Sequence, residues 1–345
     1  MKRRVKAVRK SKVSFLLALV LMLSLMIAPV TQAMEDQTID LDELLVADEN
    51  HVINYNELRT DIIQKLSEAE LQRLKDEIVS DYINRNPDAV LEIPLTDAQM
   101  QKATKQKESN IGELISRKQI QLDKQSKVES LNIGTNKTFS TSQIFTRANA
   151  GFSIASDISN RTKANFGTDG TGWADAKSDC QCPGGIGSGY AISSIGLVVP
   201  VTGSGSSKAL VNIQGIYNGY MQVAGMTSGN LNTHAYTSVD VDIYEVNPST
   251  GQLVSLVATS NIYSNGYVLS VLPNSFGGDI SETLMPTLYA GKTYYFAITA
   301  YTESEMAWYD VFTWATADMY DDSANGASGG EGVDFTSVEV TLLYQ

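Results

Sequence analysis

Aromatic and acidic residues lie close together in one stretch near the end of this 345-residue chain, residues 302–322, TESEMAWYDVFTWATADMYDD. Its candidate ligand-binding residues are Trp308, Tyr309, Trp314, Glu303, Glu305 and Asp310. Aromatic rings stack on the apolar faces of sugars while carboxylates accept hydroxyl hydrogen bonds, the usual division of a ligand site into apolar walls and few polar anchors. The stretch therefore predicts a carbohydrate-binding surface. The alternative is that Trp308, Phe312 and Trp314 are core residues of one strand.

Three carboxylates follow in the segment ADMYDDSANG, at Asp318, Asp321 and Asp322. Carboxylates this close together can share a hard cation such as calcium, which prefers oxygen ligands. The spacing does not match an EF-hand loop, and a solvated acidic loop would give the same pattern. Calcium is the cation that these carboxylates indicate, and no other cofactor is expected.

Both cysteines of the chain, Cys180 and Cys182, lie in the segment DCQCPGG. Disulfides are the default in exported proteins. Two residues of extended chain span about 6.6–7.2 Å, at or beyond the usual Cα separation of about 4.4–6.8 Å in a disulfide. We therefore expect a Cys180–Cys182 disulfide with a bend at Gln181. Intermolecular bridges, free thiols and a soft-metal pair are the alternatives.

Sites that need several histidines are disfavoured, because the chain contains only His51 and His234. The segment GASGG (326–330) matches the G-x-S-x-G pattern, but it lies in a polar glycine-rich loop and no histidine follows it. The sequence predicts no histidine-rich zinc site, no nucleophilic triad and no catalytic residue.

The first 33 residues have the layout of a secretory signal peptide. Seven basic residues precede an uncharged apolar run, VSFLLALVLMLSLMIAPV, and the small residues Thr31 and Ala33 predict cleavage before Met34. The alternative is an uncleaved anchor, since the run is long enough to span a bilayer. We expect a secreted protein without a membrane span after leader cleavage.

Leader cleavage makes the mature chain strongly acidic. Removing the leader's seven basic residues from the chain's 26 leaves 19 against 39 acidic ones, so the net charge changes from −13 to about −20. Such a charge repels nucleic acids and anionic membrane surfaces. It excludes a nucleic-acid partner and suits an extracellular protein.

Residues 34–137 have the composition of a helical segment. One helix is predicted to end at Asn86-Pro87, and a second to begin at Thr96 or Asp97 and run toward Leu131. A stalk, a helical hairpin and a pro-region all fit this pattern, and the segment offers a route to oligomers.

Residues 138–345 have the composition of a β-domain, rich in Val, Ile, Thr and Tyr with frequent turn residues. Alternation of Val239, Val241 and Ile243 with polar residues predicts one buried and one wet face. Turns are predicted at NPSTG (247–251) and at the Asn-Gly pair 265–266. The fold class is mainly β: an antiparallel β-sandwich or jelly-roll domain preceded by an α-helical segment, with a closed barrel as the alternative. We expect the two halves to fold independently.

These features favour a secreted or cell-surface non-enzymatic binding or structural protein, with a glycan or another cell-surface component as its partner. The alternative is a carboxylate-based glycan hydrolase on a jelly-roll fold, for which the sequence identifies no pair of catalytic acids. A third interpretation is assembly into oligomers or membrane pores through the Ser- and Thr-rich strands.

Overall fold

The computed structural model describes residues 67–117, 121–122, 130–133, 146–155, 160–166, 171–180, 187–225, 233–306, 313–319 and 332–343. All of them belong to one compact unit of the chain, residues 44–345. The predicted signal peptide and its cleavage site lie outside the described residues.

The described residues form two helices and fourteen strands. The helices are α1 (Glu68–Arg85) and α2 (Asp97–Arg117). The first seven strands are β1 (Glu92–Pro94), β2 (Gln121–Leu122), β3 (Leu131–Ile133), β4 (Thr146–Ala155), β5 (Asn160–Phe166), β6 (Thr171–Cys180) and β7 (Gly187–Gly203). The other seven are β8 (Ser206–Gly225), β9 (His234–Val246), β10 (Leu253–Leu284), β11 (Thr287–Tyr289), β12 (Thr293–Met306), β13 (Thr313–Met319) and β14 (Gly332–Leu343).

Hydrogen bonds connect these strands into one extended mixed sheet with the order β13-β6-β14-β8-β10-β9-β12-β7-β4-β2. Strands β1, β3, β5 and β11 pair at its sides. β3 runs parallel to β7, whereas the other pairings are antiparallel. The prediction of a mainly β protein is confirmed. Neither described helix combines the length and apolarity needed to cross a bilayer.

Local capping signals place the helix ends. α1 begins with a capping box between Ser67 and Glu70 and ends at Asn86, as predicted. At the start of α2, Thr96 Oγ1 accepts a hydrogen bond from the backbone N–H of Gln99 (3.4 Å), and the Gln99 side chain accepts one from the Thr96 backbone (3.0 Å). The predicted start of α2 is therefore confirmed.

The predicted continuation of α2 toward Leu131 is wrong. The helix ends at Arg117, and Leu131 begins strand β3, which pairs with Val201–Gly203 of β7. Leu131 is fully buried in the apolar core of the sheet. Burial of an apolar side chain against strands distant in sequence outweighs helix propensity here.

The predicted hairpin at Asn265-Gly266 is also wrong, because β10 continues through it for 32 residues. Its first half pairs with β9 and its second half with β8. Gly266 instead provides space, since a Cβ atom there would lie 2.4 Å from Leu95 Cδ1. Leu95 also donates its backbone N–H to the Gly266 carbonyl at 2.8 Å. A glycine in a strand interior marks such a close approach.

The predicted turn at 247–251 is confirmed. The Asn247 side chain accepts a hydrogen bond from the Ser249 backbone at 2.9 Å, and Gly251 has a φ of 71°, which favours glycine. The turn connects β9 to β10.

Strand β9 is buried on both faces, so the prediction that one face is wet is wrong. Val239, Val241 and Ile243 point into an apolar core that also contains residues of β7, β8, β10, β12 and β14. Asp240 and Asp242 point the other way, yet they are only 3% and 1% exposed. Helix α2 covers this second face, where its Ala103, Ile111 and Leu114 join an apolar cluster with tyrosines of β9 and β12.

A buried ion pair attaches α2 to the polar face of the sheet. Lys107 Nζ lies 2.9 Å from both carboxylate oxygens of Asp240. Asp240 also accepts hydrogen bonds from Ser238 (2.7 Å) and Asn261 (2.9 Å). Residues 97–117 are therefore part of the packing of the sheet. The prediction that residues 138–345 fold alone stays a prediction.

We expect Lys107→Met to lower the free energy of unfolding by about 3–5 kcal/mol, because it leaves the Asp240 carboxylate buried without its cation. Denaturant unfolding of the mature chain measures the change. Lys105→Met is the matched control, since Lys105 is exposed on the same helix and such changes usually stay within about 0.5 kcal/mol. Equal stability of the two variants would contradict the role assigned to the ion pair.

Candidate functional site

A cavity of about 380 Å³ lies where the start of α2 meets the ends of β7, β9 and β12. We call it the seam cavity. Its polar lining residues are Gln99, Lys102 and Gln106 of α2, Ser188 and Tyr190 of β7, His234 of β9, and Glu303 and Glu305 of β12. Leu95, which packs on Gly266, closes part of its wall.

Strand register brings His234 and the two glutamates together. β9 and β12 are antiparallel, with Glu305 opposite His234 and Glu303 opposite Tyr236. Alternate residues of a strand point to the same face, and directly opposite residues have neighbouring side chains. The first residue of β9 and two residues near the end of β12 therefore converge on the cavity.

Glu303 connects the cavity to the helix. Its Oε1 lies 3.3 Å from His234 Nε2, and its Oε2 accepts a hydrogen bond from the Tyr301 hydroxyl. Asn110 of α2 in turn donates to the Tyr301 hydroxyl oxygen at 3.0 Å. Burial, together with the charge of Glu303, raises the pKa of Tyr301 well above its ordinary value, so the tyrosine stays neutral and donates.

Glu305 lies nearer the solvent, with its side chain 34% exposed. Its Oε2 lies 3.8 Å from His234 Nδ1 and 3.8 Å from Lys102 Nζ. The cavity is therefore lined by two carboxylates, one imidazole and one exposed lysine. Such a group can bind hydroxyls or a cation.

Of the predicted ligand-binding residues, Glu303 and Glu305 line the seam cavity, whereas Trp314 does not. Trp314 lies in β13, is 1% exposed, and has Lys75 Nζ of α1 5.6 Å from the centre of its ring. A buried ring offers no face to a ligand in solvent, so Trp314 occupies a core position, as the alternative interpretation predicted. Trp308, Tyr309 and Asp310 lie outside the described residues.

Of the predicted calcium ligands, Asp318 lies in strand β13 and is buried, so its placement in a solvated loop is wrong. Asp321 and Asp322 lie outside the described residues, and calcium binding stays a prediction. Cys180 is the last residue of β6, and Cys182 lies outside the described residues. The disulfide therefore also stays a prediction.

His234 was not predicted as a site residue, because the number of histidines in a sequence does not show which strands pair. The sequence does place His234 at the start of one segment with a strand pattern, and Glu303 and Glu305 near the end of another. Antiparallel pairing of those two strands brings such ends together.

A second cavity, of about 350 Å³, lies along the same helix and is lined by Lys107, Asp240 and Asp242, among other residues. Burial, and secondarily the charge of Asp240, raises the pKa of Asp242 from 3.8 to about 6. The Tyr244 hydroxyl donates to Asp242 Oδ2 at 2.9 Å. The folded chain therefore binds a proton at Asp242 more tightly than the unfolded chain.

We expect Asp242→Asn to change how stability depends on pH. The stabilising contribution from protonated Asp242 is complete below about pH 4 and is lost as the pH rises through about 6, because its pKa is raised on folding. Asparagine stays neutral, so the variant should gain stability relative to the natural chain between pH 4 and pH 7, by on the order of 3 kcal/mol. Unfolding at four pH values measures this, and parallel curves would contradict it.

Comparisons with known proteins add little to this geometry. No protein family matches the sequence, and no curated protein matches it. Among solved structures, the chain is similar to the crystal structure of the enzymatically active domain of tailspike protein 4 of bacteriophage CBA120, with 9% sequence identity and a TM-score of 0.16. The match covers 56% of this chain but only 19% of that one, and a likeness at this TM-score carries no argument about fold or function.

Proposed function

We propose that this chain is a secreted or cell-surface, non-enzymatic binding protein that holds a carbohydrate in the seam cavity. The observation that carries the proposal is the convergence of Glu303, Glu305 and His234 on a cavity of about 380 Å³. Pockets for small ligands measure about 300–1,000 Å³ and combine an apolar wall with a few placed polar groups. One or two sugar rings match that size.

The lining matches the hydrogen-bonding needs of a polyol. Carboxylates accept hydrogen bonds from hydroxyls, while the amides of Gln99 and Gln106 both donate and accept. Tyr190, whose ring stacks on that of Tyr301 with centroids 6.1 Å apart, adds an aromatic wall. Two carboxylates against the single cation of Lys102 favour a neutral or cationic sugar over an anionic one.

We further propose that the sheet folds into a sandwich-like scaffold for this cavity. Buried residues of β8 and β14 share one apolar core with those of β7, β9 and β12, which supports two facing layers. The proposal includes strand connections of the jelly-roll type.

A glycan hydrolase is the second candidate, and it is favoured by the presence of both Glu303 and Glu305 in one cavity. A hydrolase needs two carboxyl groups on either side of the scissile bond, about 5–5.5 Å apart in retaining enzymes and 6.5–9.5 Å apart in inverting ones. Glu303 and Glu305 lie two residues apart on one face of β12, with an oxygen of each within 4.8 Å of the other, so both approach a ligand from the same side. Glu303 is also engaged by Tyr301 and His234. Binding without hydrolysis therefore has the stronger support.

We expect the mature chain to bind a subset of neutral glycans on an array, and Glu305→Gln to weaken that binding roughly 10- to 100-fold. The reason is that a hydrogen bond to a charged group contributes about 1.5–3 kcal/mol. Titration calorimetry with the best glycan measures the loss. Glu339→Gln is the matched control, because Glu339 is exposed on β14, away from the cavity.

Unchanged binding by the Glu305→Gln variant would contradict the cavity as the glycan site. Release of reducing sugar ends from the bound glycan would favour the hydrolase instead. Failure of every glycan to bind would overturn the carbohydrate proposal.

A further inference from the structure

His234, Glu303 and Glu305 also have the composition and spacing of a metal centre. One ligand atom from each of the three side chains lies within 4.8 Å of those from the other two. Within the described part of the chain, they form the one such cluster of three histidine, cysteine or acidic side chains. The His234 and Glu303 side chains are largely buried, which limits competition from bulk water.

We propose that these three residues bind a divalent transition-metal ion of the zinc type. Imidazole is a good ligand for zinc, copper and nickel, whereas calcium and magnesium prefer oxygen ligands alone. Zinc takes His nitrogen and Asp or Glu oxygen at roughly 2.0–2.2 Å, in a tetrahedral arrangement that separates neighbouring ligand atoms by roughly 3.3–3.5 Å. His234 Nε2 and Glu303 Oε1 are 3.3 Å apart. Glu305 Oε2 lies nearer the other ring nitrogen, 3.8 Å from Nδ1, and one imidazole binds one ion through one nitrogen. The partly exposed Glu305 side chain must therefore turn toward Nε2 to complete the site.

The surroundings of Glu303 orient it for this role. Tyr301 donates to Oε2, which leaves Oε1 directed at His234. Asn110 fixes the Tyr301 hydroxyl from the helix side at 3.0 Å. Hydrogen bonds of this kind, made to the non-coordinating atoms of a ligand, set its orientation and raise metal affinity.

The charges facing the site favour a cation. Glu303 and Glu305 lie at the site itself. The opposing charge is Lys102, whose Nζ lies 3.8 Å from Glu305 Oε2 and whose side chain is 78% exposed. Lys102 can turn into solvent when a metal enters. Three protein ligands leave the fourth position of a tetrahedral ion facing the cavity, for water or a ligand.

The test is a zinc titration of the full mature chain after treatment with a chelator, followed by calorimetry. We expect saturable binding of one ion per chain. His234→Gln and Glu305→Gln should each weaken it at least tenfold, and Tyr301→Phe by 10- to 100-fold. Lys102→Gln should strengthen it several-fold, because it removes a cation beside the site. Glu339→Gln, far from the cavity, should leave the affinity unchanged.

The two cysteines are the competing zinc ligands, and a double replacement of Cys180 and Cys182 by serine separates the sites. We expect this variant to keep its zinc affinity. Loss of zinc binding in the double serine variant would overturn the proposal. So would full zinc binding by the His234→Gln variant, or failure of the natural chain to saturate below about 1 mM zinc. The titration contains no glycan, and glycan binding can be measured after chelation, so either proposal can fail without the other.

A measurement on the natural chain covers the case in which a variant does not fold. Cobalt(II) bound to nitrogen and oxygen ligands gives visible d–d absorption bands without the intense near-ultraviolet bands of thiolate ligation. We expect this chain to show the d–d bands without the intense near-ultraviolet bands. A thiolate spectrum would assign the metal to the cysteines and overturn the proposed centre.

Discussion

The ion pair between Lys107 and Asp240 is the contact on which the arrangement of helix and sheet depends. Both groups are buried, so each loses hydration that water would have provided, and the pair is favourable only when its remaining hydrogen-bonding capacity is satisfied. Ser238 and Asn261 supply those hydrogen bonds to Asp240. A shift of α2 by one residue would separate the ammonium from the carboxylate. The pair thus fixes one position of the helix on the sheet.

Polar contacts elsewhere along α2 reinforce the same position. Lys107, Asn110 and Glu113 are spaced three residues apart, so they lie along one side of the helix. They contact Asp240, Tyr301 and Tyr190, respectively. Buried polar groups need partners, and each of these contacts is made only in one register. Apolar packing by Ala103, Ile111 and Leu114 supplies burial on that side but tolerates small shifts more readily.

Features set by local sequence could be predicted, whereas features set by contacts between distant segments could not. α2 begins directly after Thr96, because the Thr96 side chain caps the backbone N–H of Gln99 three residues later. The turn at Asn247 forms because the Asn247 side chain accepts a hydrogen bond from the backbone of Ser249 two residues later. The continuous path of β10 through Gly266 depends on Leu95, 171 positions earlier. The seam cavity likewise depends on α2, which covers a face of β9 that the alternation of apolar and polar residues predicts to be exposed to solvent.

Glu303 and Glu305 illustrate how the cavity and the fold share residues. One oxygen of Glu303 joins the network through Tyr301 and Asn110 that attaches α2, while the other faces His234 in the cavity. A change at Glu303 therefore perturbs helix attachment and the proposed ligand contacts together. Glu305 lies at the more exposed end and its charged contacts are longer, at 3.8 Å. The proposed recognition can consequently vary at Glu305 without loss of the fold, whereas Glu303 is constrained by its contacts with the helix network.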